Sequence, residues 1–112
     1  MPETPDARLP AHLEVNALIR RVQAAGGFAT VLQKGERDAG TVLIVLVENG
    51  RNGRAYERMP QADGSHAWHC SSRQTNENSE DFSKFVTRRG EQDPDLWIVE
   101  LDIADGERFV VA

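Results

Sequence analysis

Apolar residues recur along the N-terminal third with the period of a helix. Val15, Leu18, Ile19 and Val22 follow an i, i+3, i+4, i+7 spacing that Ala11 extends, which predicts an amphipathic helix with one buried face. Pro10 suits its first turn and Gly26-Gly27 supplies its stop. At about 100° per residue, Leu13, Ala17 and Ala24 gather on the opposite side beside Arg20 and Arg21. A purely solvated face would be more polar, so these five residues form a candidate interface. The competing reading is that Leu13 packs under the preceding segment and the alanines simply favour helix.

The period then shortens. Phe28 to Lys34 is rich in β-formers, and Thr41 to Val47 is an unbroken apolar run, too short for a membrane span and therefore a central strand, with Gly35 and Gly40 bracketing the connection. Asn49-Gly50 and Asn52-Gly53 are turn signals, after which Arg54 to Met59 resumes as a half-exposed strand that Pro60 ends. These three strands read as an antiparallel meander. Ala62-Asp63-Gly64-Ser65 reads as a turn before a short fourth strand around Ala67-Trp68, and Ser71 to Ser79 as a polar, mobile loop. Asn78 or Ser79 can cap a second helix, whose Phe82, Phe85 and Val86 form a narrow apolar stripe ended by Gly90.

Pro94 pushes Asp93 towards an extended conformation, and the two aspartates around it favour a turn, so a strand begins near Leu96. Trp97, Val99, Leu101 and Ile103 fall on its core face, with Leu96, Ile98, Glu100 and Asp102 on the other. Asp105-Gly106 favours a last turn, and Phe109-Val110-Val111 reads as a short final strand or a frayed end.

The order α-β-β-β-(β)-α-β implies an α+β fold, a two-layer sandwich with two helices on an antiparallel sheet of four to five strands. Met1 to Arg8 reads as a flexible leader and residues 9–112 as one domain, which suits 112 residues of which 39% are hydrophobic. Helices in one layer cover only one sheet face. Because Val45 and Val47 are as apolar as Val42, Ile44 and Leu46, a homodimer through the second face would bury them.

A net charge of -5 disfavours nonspecific nucleic-acid binding and docking on an acidic membrane surface. The N-terminus lacks the basic and apolar regions of a secretory signal, and Cys70, the single cysteine, agrees with a reducing compartment; a cytoplasmic protein is expected.

Four segments in order carry a likeness: Ala17-Leu18-Ile19-Arg20-Arg21, Gly26-Gly27-Phe28-Ala29-Thr30-Val31-Leu32, Lys34-Gly35 with Asp38-Ala39-Gly40, and Asp93-Pro94-Asp95-Leu96-Trp97. Together they resemble a bacterial family of short proteins catalogued as domain of unknown function 1491. The chain departs from that pattern at Asn16, Glu36 and Arg37, and between Gln61 and Ser79. The resemblance carries no activity and no site residue.

Candidate chemistry is sparse. His66, His69 and Cys70 are the only cluster of soft ligands, but in a strand His66 and His69 point to opposite faces, as do His69 and Cys70, so neither a metal site nor a nucleophile pair is expected. His12 sits at the border of the first helix's apolar face. Asp93, Asp95, Glu100, Asp102 and Asp105 lack the alternation of a calcium loop; the bland reading is that Asp93 and Asp95 shape a turn and pair with Arg20, Arg21, Arg88 or Arg89. Lys34 precedes Gly35 and Gly40 and a strand follows, so this segment is not a P-loop. Arg51, Arg54 and Arg58 are the most basic patch, with Arg54, Tyr56 and Arg58 on one strand face where an arginine-aromatic surface could hold single-stranded nucleic acid.

These residues rank three readings. The first is a noncatalytic interaction module, a homodimer or the subunit of an assembly, without cofactor, using Leu13, Ala17, Arg20, Arg21, Ala24, Val45 and Val47. The second is a small enzyme or binding protein that holds an anionic metabolite between Arg20, Arg21, Asp93 and Asp95. The third is single-stranded nucleic-acid binding through Arg51, Arg54, Tyr56 and Arg58.

Overall fold

The computed structural model describes residues 9–75, 77 and 79–110. In chain order they form α1 (Ala11–Ala24), β1 (Phe28–Gln33), β2 (Val42–Glu48), β3 (Arg51–Pro60), β4 (His66–Arg73), α2 (Ser79–Gln92), β5 (Trp97–Asp102) and the short α3 (Glu107–Val110). The expected α+β class, the five strands and the two long helices are all present.

The helical spacing of the N-terminal third is realised as read: Ala11, Val15, Leu18 and Val22 are buried along α1. No side chain caps its start. Instead the amides of Ala11 and His12 donate to the carbonyls of Asp38 and Arg37 at 3.1 and 2.9 Å, so the loop after β1 satisfies two of the helix's orphan donors.

The sheet order is β1-β5-β2-β3-β4. This corrects the meander expected for the first three strands: β5 lies between β1 and β2, antiparallel to β1 and parallel to β2, with Ile44 level with Val99. The sheet is therefore mixed. The reason is apolarity on both faces. β2 and β5 are the two strands that need cover on every side, so they pair at the centre, while β1, with its exposed positions, is displaced to an edge.

The two faces are covered from within the chain. Val42, Ile44, Leu46, Val99 and Leu101 pack with α1 and Val110 on one side, and Leu43, Val45, Val47, Ala55 and Ile98 pack with Phe82, Phe85 and Val86 of α2 on the other. The helices thus divide between the two faces of the sheet. Val45 and Val47 are 2% and 6% exposed, so the argument that a dimer must cover them no longer holds.

Local turn chemistry explains the remaining differences. Asn49 and Gly50 both take positive φ, the geometry of a tight hairpin turn. Asn52-Gly53, expected as a second turn, lies inside β3, with Asn52 at φ 57 beside an irregularity in the β2–β3 register. Gly53 is there because a Cβ would stand 2.5 Å from the Phe82 ring. β4 runs on to Arg73, shortening the loop expected from Ser71 to Ser79. The final turn at Asp105 leads into helical α3 rather than a strand. The leader at 1–8, the capping candidate Asn78 and Val111 lie outside the described residues. Among the described residues no helix is long and apolar enough to cross a membrane.

Candidate functional site

α1 does not reach across the whole of its sheet face. Beyond its flank, over β3 and β4, lies a groove of about 250 Å³ whose walls include Leu9, Ala17, Leu18, Arg21, Arg58, Trp68 and Phe109. Glu14, Arg58 and Leu9 are shared with a second recess of about 340 Å³ that extends to Asp38 and Gly40.

Each cation at this groove has a partner within the chain. Arg58 donates to Glu14 at 2.7 Å and lies 4.5 Å from the centre of the Trp68 ring. Arg21 donates to the Phe109 carbonyl at 2.8 Å, with its guanidinium 6.0 Å from the ring of the same residue. Arg108 stacks on that ring at 4.5 Å.

Deeper in the face, Arg54 donates from Nε and Nη2 to the two carboxylate oxygens of Glu107 at 2.9 and 2.6 Å. Tyr56 donates to the same carboxylate at 3.0 Å. The guanidinium, opposed in part by burial, holds the Glu107 carboxyl down at about 2. In return Glu107 raises Arg54, and burial with the Glu107 contact raises Tyr56. This network fastens α3 to the sheet and closes one end of the groove.

The predicted residues are only partly brought together. Leu13, Ala17, Arg20, Arg21 and Ala24 are all exposed on α1, with Ala17 and Arg21 on the groove wall. Asp93 and Asp95 are elsewhere. Asp93 Oδ1 accepts the Asp95 amide at 3.0 Å, and the Asp95 carbonyl accepts the Glu36 amide at 2.9 Å, in the loop cluster that caps the start of α1. Arg20 and Arg21 lie near the other end of that helix, about 15 Å along its axis. Neither aspartate lines the groove.

Arg54, Tyr56 and Arg58 do share one strand face, yet that face is interior and their polar groups are taken by Glu107 and Glu14; Arg51 alone of the four is exposed. Arg89, expected near the aspartates, donates to Glu57 at 2.6 Å and fastens α2 to β3. His66 and His69 are exposed and, three residues apart in β4, point to opposite faces. Among the described residues no three His, Cys, Asp or Glu side chains gather as a metal site would require.

Glu14, Trp68, Glu107 and Phe109 were missed by sequence reasoning. The Arg54–Glu107 pair is 53 residues apart and no local pattern announces it. The sequence places Trp68 only in a short fourth strand. Its register opposite Arg58, two residues beyond Tyr56 on the same face, was the available signal.

Two of the four familiar segments, Lys34-Gly35 with Asp38-Ala39-Gly40 and Asp93 to Trp97, meet at the loop cluster. A Cβ at Gly35 or Gly40 would collide with the Asp95 carbonyl. Trp97 Nε1 donates to the Glu36 carbonyl at 2.7 Å, and the Glu36 carboxylate accepts the amides of Asp38 and Ala39. Gln33 donates to the carbonyls of Asp93 and Leu96 at 3.1 and 2.8 Å. A family model described as "Protein of unknown function (DUF1491)" matches residues 9–111. The chain belongs to the DUF1491 family.

Its similarity to solved members extends over nearly the whole chain. The crystal structure of a DUF1491 family protein from Caulobacter crescentus CB15, at 1.87 Å resolution, is 36% identical and superposes with a TM-score of 0.79 over 91% of this chain and 94% of that one. An NMR structure of a DUF1491 family protein from Caulobacter crescentus CB15 gives 36% identity and a TM-score of 0.77, covering 91% and 92%. The solution structure of protein Atu0922 from A. tumefaciens is 28% identical, with a TM-score of 0.75 and 93% of each chain covered. No curated protein matches the chain. The family thus supplies a fold without an activity.

Proposed function

We propose that this protein is a noncatalytic protein-interaction module that receives a protein partner on the outer face of α1 and the groove at its flank. The observation that carries the reading is the internal pairing of the groove's arginines. Arg58 is held by Glu14 and Arg21 by the Phe109 carbonyl, so among the described residues the groove offers shape and apolar surface with both of its arginines already paired. Leu13, Ala17 and Ala24 continue that apolar surface along the exposed side of the helix. Arginine and aromatic side chains side by side, already ordered before contact, are the residue types that anchor protein interfaces at low entropic cost.

A metabolite site between Arg20, Arg21, Asp93 and Asp95 has less support, because the two pairs sit at opposite ends of α1. Nucleic-acid binding also has less support, since Arg54 and Arg58 are neutralised by carboxylates. A cytoplasmic setting belongs to the same proposal and rests on the lone cysteine.

The test is site-specific photo-crosslinking in the cells that make the protein, with the reactive group at Leu13 or Ala17 and a control at Glu91 on α2. The proposal expects one defined protein adduct from the α1 positions and none from Glu91, and binding of the purified pair at least about tenfold weaker with Ala17→Glu. Absence of an adduct at α1, or equal labelling from both helices, would sink it.

A further inference from the structure

A different surface points to a second partner. β1 forms one edge of the sheet, and among the described residues it pairs only with β5. Its six residues, Phe28-Ala29-Thr30-Val31-Leu32-Gln33, carry no charge and no proline. Edge strands are usually guarded by charges, prolines or a covering element, because their free amides and carbonyls recruit other strands. Among the described residues the one guard on β1 is the register irregularity between Val31 and Gln33, which leaves Phe28 to Val31 in regular geometry. Three of the large exposed hydrophobic side chains are here, with Phe28 75% and Leu32 48% exposed beside Val31.

We infer that the β1 edge pairs antiparallel with β1 of a second copy, joining two five-stranded sheets across a two-fold axis at Thr30. The occupant is argued from self-complementarity. Alternation along the strand places Ala29 and Val31 on the α1 side, with Leu101 and Val99 opposite them on β5, and Phe28 and Thr30 on the α2 side. Only a register that keeps like faces together is allowed, because a slip of one residue would turn every side chain to the wrong face. Centring on Thr30 meets that condition where the strand is regular: Thr30 faces its own copy and Ala29 faces Val31, twice over, while Leu32, the extra residue at the irregularity, comes level with Phe28. Phe28 and Leu32, the two most exposed of the strand's large hydrophobic side chains, thus come together at each end of the pairing.

Charge agrees with this arrangement. An uncharged strand meets itself without repulsion, as an isologous interface requires. The other edge does not offer this, because β4 carries Arg73, His66 and His69 along its length. The inference is independent of the α1 groove and concerns a separate face.

The test is oligomeric state by light scattering and native mass spectrometry from about 1 to 200 µM, the range in which a short strand interface associates. Three variants accompany the full chain: Phe28→Lys, Leu32→Glu and the two combined. Each substitution is on an exposed side chain, and circular dichroism verifies that the variants fold. The expected results are a concentration-dependent dimer for the parent and dissociation at least about tenfold stronger for each single variant. The double variant recovers the dimer, because the introduced charges of opposite sign face each other across the axis. A parent that stays monomeric throughout, or single variants that dimerise like it, would overturn the inference. Failure of the double variant to recover would overturn the antiparallel register. Photo-crosslinking from Leu13 in the monomeric variants keeps this result separate from the α1 proposal.

Discussion

Glu107 grips Arg54 with both carboxylate oxygens, at 2.6 and 2.9 Å, although 53 residues separate them. The pair draws the C-terminal helix onto the sheet and leaves Arg54 only 2% exposed. A planar guanidinium meeting a carboxylate in this way fixes orientation as well as distance. Its consequence is a groove wall built from Phe109 and Val110 instead of a free C-terminal segment.

That pair has a pH signature. The Glu107 carboxyl is held at about 2 against an ordinary 4.5. A depressed folded value means stability that is fully present above pH 4.5 and is lost as the pH falls towards 2. The carboxylate side chain is 37% exposed, so solvent screening reduces the contribution to about 1–2 kcal/mol. Urea unfolding of Glu107→Gln should show that deficit at pH 7 and a smaller one at pH 3. An equal deficit at both would mean that the pair's charge is not what stabilises α3.

The second sheet face gives a sharper contrast. Val45→Glu places a carboxylate beneath α2 at a position 2% exposed, and should cost more than about 3 kcal/mol. Leu13→Glu, at a position 45% exposed, should change stability by less than about 0.5 kcal/mol. Thermal unfolding separates the two. A Val45→Glu protein that melts with the parent would show that α2 does not cover this face.

Glycine substitutions probe the loop cluster. Gly35→Ala drives a methyl group into the Asp95 carbonyl, a backbone atom that cannot swing aside. Gly50→Ala meets nothing within 4 Å and bears only the strain of φ +75. Denaturant midpoints should therefore fall further for Gly35→Ala, by about 2 kcal/mol or more, than for Gly50→Ala, at about 1 kcal/mol. The reverse order would contradict the close backbone approach at Gly35 in the loop cluster.

Trp68 links packing to recognition. It is half-buried beneath the Arg58 guanidinium. Removing its ring in Trp68→Ala should leave a folded chain yet weaken the protein partner identified through α1 by about tenfold or more, measured by calorimetry. Unchanged affinity would place the partner away from the groove.

The sequence displayed the periodic features well and the long-range ones poorly. The α1 stripe of Val15, Leu18 and Val22 and the apolar run of β2 follow from local spacing, and both are realised. Placement of β5 between β1 and β2 depends on which strands most need cover, a property of the whole sheet. The cover of Val45 and Val47 by α2 was hidden for the same reason, since Phe82, Phe85 and Val86 state a face but not the side of the sheet it will choose. At the site, the exposed residues of α1 were readable from helical geometry. Arg54 and Arg58 were recognised as one face, but their carboxylate partners come from Glu107 and Glu14, on elements that periodicity cannot bring together.

Native mass spectrometry of the protein isolated from its own cells tests the central claim most directly. An interaction module predicts masses that are sums of whole polypeptides, either copies of this chain or this chain with a protein partner, and no small molecule retained. A monomer at every concentration, carrying a bound metabolite or metal, would contradict it.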